Sequence, residues 1–212
     1  MFSNSKLKSN IWKFYLISLL QGLVLAYVIA QVFRQSRGIT VLQLVALEII
    51  YSATILLLDV PTGALADRWS RKKTLLLSIG FEFLEFFLAI FSHSFLLFAI
   101  SLICGGIATS LFSGTFNALI YDTLKNTNRK KDYVKFIGRL RFVKYFIHIP
   151  IQILGGVVAY YLGMVYNFWF SLIPIFITFL IMLTIKEPKI HTTNKEVSYW
   201  KHIKIAGKYV FS

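Results

Sequence analysis

Acidic side chains are scarce in this chain. Nine Asp and Glu stand against 23 Lys and Arg, giving a formal net charge of +14 over 212 residues. Charge of either sign is thin as well: 15% of residues are charged and 57% are hydrophobic, where a soluble domain carries roughly 25% charged residues. Cysteine is nearly absent. Cys104 stands alone in an apolar run, which excludes an internal disulfide and a cysteine-based metal cluster. No P-loop, His-Glu-x-x-His or nucleophile elbow occurs, so ATP binding, zinc hydrolysis and acyl-enzyme chemistry have no site. No enzyme activity, cofactor or metal is expected.

A strongly basic chain invites a nucleic-acid reading, but the distribution of charge argues against it. Charge-poor runs alternate with short basic ones, which is how a chain reads when its solvent is a bilayer. Six runs approach or exceed the ~20 apolar residues that cross the hydrocarbon core. The expected spans are 11–33, 41–65, 74–92, 95–121, 140–162 and 165–185. The polar turn Arg34-Gln35-Ser36-Arg37-Gly38 separates the first two, and Asp67 to Lys73 separates the second from the third. The first run is too long for a signal-peptide core, and no clear small-residue cleavage site follows it.

Orientation follows from the basic residues. With the N-terminus inside, all of the 23 Lys and Arg except Arg34 and Arg37 fall on cytoplasmic segments, including the cluster from Lys125 to Lys144. Both termini are therefore expected in the cytoplasm of a multi-pass plasma-membrane protein. Residues 1–187 form one bundle in this reading. Residues 188–212 form a cytoplasmic linker whose aromatic and aliphatic residues between lysines suit either an amphipathic helix on the lipid surface or a solvated tether.

The most specific segment is Pro61-Thr62-Gly63-Ala64-Leu65-Ala66-Asp67-Arg68-Trp69-Ser70-Arg71-Lys72-Lys73. Small residues here leave a thin helix surface that lets another helix approach closely. Asp67, Arg68 and Arg71 place opposite charges at the helix end, where ion pairs can hold helices together and break when they part. The segment resembles the loop signature G-x-x-x-D-R-x-G-R-[KR] between helices 2 and 3 of the major facilitator superfamily. Gly63, Asp67, Arg68, Arg71 and Lys72 match; Ser70 replaces the usual glycine. Tyr121-Asp122 at the end of the fourth span and Gly155-Gly156 in the fifth extend the likeness over nearly the whole chain.

The resemblance implies an all-α membrane fold: six transmembrane helices in two inverted three-helix repeats, forming the N-terminal bundle of a major-facilitator-type transporter. It implies a charge relay of Asp67, Arg71 and Asp122 that gates the cytoplasmic side. It also implies a second six-helix half, from the same gene, a second chain or a homodimer, because substrate in this family sits between two bundles. The sequence stops inside what looks like the linker before a seventh helix, so a truncated half is one expectation. A residual or regulatory six-helix protein that does not transport is the other.

Intramembrane polar residues supply the remaining candidates, since an acid near mid-bilayer costs about 2.5–3.5 kcal/mol on insertion scales. Glu48 and Asp59 lie in the second span. Glu82 and Glu85 lie i and i+3 in the third, ~13–18 Å past Lys73. Two such carboxylates resist double ionisation, so they are expected to share a proton and are candidates for proton coupling, against a purely structural bracing role. His148 follows Lys144 by four residues and precedes Gln152 by four, on a stripe leading to Gly156. Gln21 and Asn117 are candidate substrate contacts, because helices 1 and 4 of the resembled fold line its cavity, and Gln152 on the stripe of the fifth span is a third. Gly106, Ser110 and Ser113 read as a packing face. Residues 101–118 contain no arginine, unlike the proton-linked drug exporters of the family.

Overall fold

A computed structural model describes residues 3–188; the side chains of residues 3–6, Ala64, Asp67 and Arg68 lie outside that description, as does the linker assigned to 189–212. The described residues form helices joined by short turns, without strands. The helices are α1 (Ser3–Gly22), α2 (Ala26–Ser36), α3 (Val41–Arg68), α4 (Arg71–Phe91), α5 (Phe95–Asn126), α6 (Tyr133–Tyr161) and α7 (Met164–Thr184), with a short 3-10 turn at Lys130–Asp132. They supply six segments long and apolar enough to cross a membrane.

Side-chain oxygens start three of the helices. Thr40 accepts from the Gln43 amide and Gln43 answers on the Thr40 amide, a reciprocal cap for α3. Ser70 and Ser94 cap α4 and α5 through the amides three residues on. Gly38 (φ 85°) and Gly163 (φ 106°) take left-handed conformations in the turns after α2 and before α7, where a side chain would be strained.

The central helix is α5. It packs most extensively along α4 and on its other side along α3, while α7 covers α4 and α1 lies against α6 and α7. Rings fill the middle: Phe14 meets Phe116 edge-on with centroids 5.6 Å apart, and Phe33 lies 4.6 Å from Phe168. Of the small face expected on the fourth span, Gly106 and Ser110 are used for packing, while Ser113 is exposed to a cavity. A Cβ on Gly106 would come within 2.8 Å of Thr54, and Ser110 shares a 2.9 Å hydrogen bond with Thr62, so α3 and α5 approach closely there. Gly63, by contrast, meets nothing within 4 Å and lies on an exposed face of α3.

The largest departure from the sequence reading is in the first span. Instead of one helix over 11–33, the chain unwinds at Leu23–Leu25 and restarts as α2. No proline marks the break, and the one glutamine and one glycine before it, Gln21 and Gly22, do not by themselves end an apolar helix. Contacts from distant helices create it. Gly22 touches α6 so closely that a Cβ would lie 2.6 Å from the Lys144 carbonyl oxygen. The Ser171 hydroxyl accepts from the amides of Leu25 and Ala26, each at 3.0 Å, and His148 Nδ1 donates to the Gly22 carbonyl at 3.2 Å. Non-helical backbone at membrane depth persists where protein groups satisfy it in this way. Elsewhere helices outrun their expected ends: α3 runs on through the Asp67-Arg68 backbone, α5 reaches Asn126 and α6 starts at Tyr133.

Candidate functional site

Two acids of α4 face a cavity of about 260 Å³ inside the bundle. Glu82 and Glu85 share its wall with Gln21 of α1, Tyr27 of α2, Tyr51 of α3, Thr109 and Ser113 of α5, and Lys144 of α6. A helix of this position is peripheral in the resembled fold, yet here its acidic face turns inward. Gly105 makes the room: a Cβ there would overlap the Glu85 carboxyl group. Ser78 and Ser101 spend their hydroxyls on the Ala108 and Glu85 carbonyls, both at 2.7 Å, and so lock α4 to α5 on either side of the acids.

The polar groups in the cavity are partly organised. Tyr27 donates to Glu82 at 3.5 Å, a long contact, and Tyr51 bonds Thr109 at 2.9 Å. Among the described residues, Lys144 is the one basic side chain on the same cavity wall as the two carboxylates. Lys144 closes the basic cluster by sequence and already falls in the expected fifth span; α6 sets it on the cavity wall. Gln21 and Tyr27 stand on opposite sides of the break in the first span, so the cavity lies beside the unwound turn. His148 reaches that turn from below, with its ring 6.4 Å from Tyr27. A second cavity of about 170 Å³ shares Gln21, Phe112, Ser113 and Lys144 with the first and adds Asn117 and Arg141. Gln21 and Asn117 are thus brought to one continuous cleft.

Other candidates lie apart. Glu48 pairs with Arg34 at 2.9 Å and accepts from Gln31 at 2.8 Å, toward the opposite end of α3 from the motif. Asp59 is exposed on the outer side of α3, away from both cavities. Gln152 lines neither cavity. On the glycine pair it is Gly155, not Gly156, that meets the unwound turn: a Cβ there would stand 2.8 Å from Val28 and 3.2 Å from the Leu25 carbonyl.

The unwound turn makes Ser171 a residue of consequence that no pattern in the sequence signals. Asn167, one helical turn before it, is fully buried with neither amide atom hydrogen-bonded. Replacing Ser171 by alanine strips the acceptor from two amides at once. Unfolding of the purified chain in mixed micelles, followed by tryptophan fluorescence, is expected to show a loss of about 1–3 kcal/mol.

At the basic end of the bundle, Arg71 at the start of α4 forms an ion pair with Asp122 of α5 and donates to the Ala118 carbonyl at 2.6 Å. Both side chains are largely shielded, with 12% and 14% exposed. Two members of the expected relay therefore meet. Asp67 and Arg68 stand within α3, their side chains outside the described residues. Lys72 donates to the Leu183 carbonyl at 2.6 Å, closing the last turn of α7.

No curated protein matches the chain. The family profile described as Major Facilitator Superfamily matches residues 12–212. That match covers the first apolar span from Trp12 onward and the five others whole, the segment from Gly63 to Lys72 and the Arg71–Asp122 pair, and the chain belongs to the major facilitator superfamily, a multi-pass membrane transporter family of which it presents the N-terminal six-helix half.

Proposed function

We propose that the protein is a secondary transporter that moves a small solute by alternating access, driven by protons that Glu82 and Glu85 take up and release. The observation carrying this reading is the cavity at the break in the first span, where two acids, Lys144, Gln21 and two tyrosines converge from five helices. Broken helices at mid-membrane are where transporters place substrate and coupling-ion sites. The acids are costly to keep there without such a use.

The same reading puts both termini on the cytoplasmic side of the cell membrane, with the Arg71–Asp122 pair as the inner gate. It also calls for a second six-helix half. Only 11% of the apolar window of α3 and 6% of that of α6 is buried, against 39–56% for the other spans. Leu56, Leu57, Phe146 and Ile153 are exposed on these two helices, and Gly63 offers a flat contact beside them.

The test uses proteoliposomes and a panel of radiolabelled amino acids, sugars and organic amines under inward and outward proton gradients. For the solute that accumulates, Glu82→Gln and Glu85→Gln are expected to cut gradient-driven accumulation by at least about tenfold, while exchange at equal pH on both sides continues. Accumulation equal to the parent in both variants would end the coupling role. A protein that moves no solute, alone or with a second half, would instead be a non-transporting six-helix protein of regulatory or residual function.

A further inference from the structure

Glu187, just beyond the sixth span, stands against the gating segment in a way that the family signature does not encode. Its carboxylate accepts from the Ser70 hydroxyl at 2.6 Å and from the Arg71 amide at 2.6 Å, with a longer contact to the Lys72 amide at 3.5 Å. These are the first amides of α4, which have no partner inside the helix and carry its positive dipole end. Ser70 is the residue that departs from the family's glycine. Its backbone is extended (φ −177°), a conformation open to any residue, so glycine is not required there. Its hydroxyl both caps Lys73 and donates to Glu187.

The segment carrying Glu187 is itself fastened. Asn10 donates to the Lys186 carbonyl at 2.7 Å and accepts from the Lys186 amide at 3.2 Å. Lys13 donates to the Thr184 carbonyl at 2.8 Å, and Lys72 to that of Leu183. The residues after α7 thus form a strap between the start of α1 and the start of α4. Arg71 is held at both ends: its amide by Glu187, its guanidinium by Asp122 and the Ala118 carbonyl.

We propose that Glu187 is a positioning residue of the gate, presenting Arg71 to Asp122 and tying the strap that leaves the sixth span to the opening of the Arg71–Asp122 pair. The Ser70 hydroxyl is its partner, in place of the glycine usual in the family. Charge-assisted hydrogen bonds to helix amides are short and strong enough to hold such a register. Pulling the strap away removes the anion from the helix start and frees Arg71 to leave Asp122. This rests on the reading of that pair as a gate.

The experiment uses the whole chain in lipid nanodiscs, with Cys104→Ser to remove the native thiol and Ala118→Cys as a reporter beside Arg71. The rate of maleimide labelling reports how often the pair opens. Asp122→Asn is the control that opens the gate directly. Glu187→Ala and Ser70→Gly are expected to raise the labelling rate about tenfold, and Glu187→Gln, which keeps one acceptor, by less. Hydrogen exchange at the Arg71 amide should lose protection in the same order, while amides in the middle of α5 stay protected and so exclude general unfolding. Faster labelling in Asp122→Asn with Glu187→Ala at the parent rate would overturn the positioning role alone. A parent-like rate in both would overturn the gate reading and the positioning role with it.

Discussion

Arg71→Ala is expected to destabilise the bundle by about 3–5 kcal/mol, because it strands one member of a shielded ion pair. The guanidinium joins α4 to α5 through Asp122 and the Ala118 carbonyl. Its removal leaves a mostly buried carboxylate and a partly buried carbonyl without their cation. Asp122→Asn should cost less, since it removes the charge that holds Arg71 without stranding a buried anion, and the Ala118 contact is kept. The two changes together should cost less than their sum, the mark of a direct interaction. Chemical unfolding in mixed micelles provides the measurement. Equal losses in both single variants, with full additivity in the double, would mean that the pair contributes nothing as a pair. In transport terms the same variants should leave the inner side open too often and lower accumulation even where solute binding persists.

Gly22→Ala is expected to cost about 1–3 kcal/mol through overpacking. The added carbon would sit 2.6 Å from the carbonyl oxygen of Lys144 and 3.4 Å from the Ile147 side chain. The first obstacle is backbone, so α6 has to move rather than a flexible side chain. That shift also pulls His148 from the Gly22 carbonyl and moves Lys144 relative to Glu82. Both the fold and the cavity are therefore affected by one methyl group. Gly156→Ala in α6 provides the contrast, since nothing lies within 4 Å of a Cβ there; it should be neutral or slightly stabilising, as for glycine in any helix interior. Unfolding midpoints of the two variants, compared side by side, check the difference. If Gly22→Ala is as stable as the parent, the close approach of α1 to α6 is not a constraint on the bundle.

Some of this protein was legible in one dimension, because hydrocarbon imposes its requirement residue by residue. Six spans follow from the length of apolar runs, and the family from the spacing of Gly63, Asp67, Arg68, Arg71 and Lys72. The inward use of Gln21 and Asn117 follows from the resemblance. Helix ends at the basic side were less legible, since polar helix beyond the lipid has no hydropathy signal; α6 starts at Tyr133, before the span expected from 140.

What only the tertiary structure decided are the features that depend on two distant segments meeting. An apolar run reads the same whether it is wound or unwound, so the break at Leu23–Leu25 exists only through Ser171, His148 and the α6 backbone. The inward turn of Glu82 and Glu85 depends on the space left by Gly105 on another helix. Glu187 is, along the chain, one more charge after the sixth span; the fold sets it on the first amides of α4. Burial in lipid is a property of single residues and can be read along a chain; partners for buried polar groups are a property of pairs, and pairing waits for the fold.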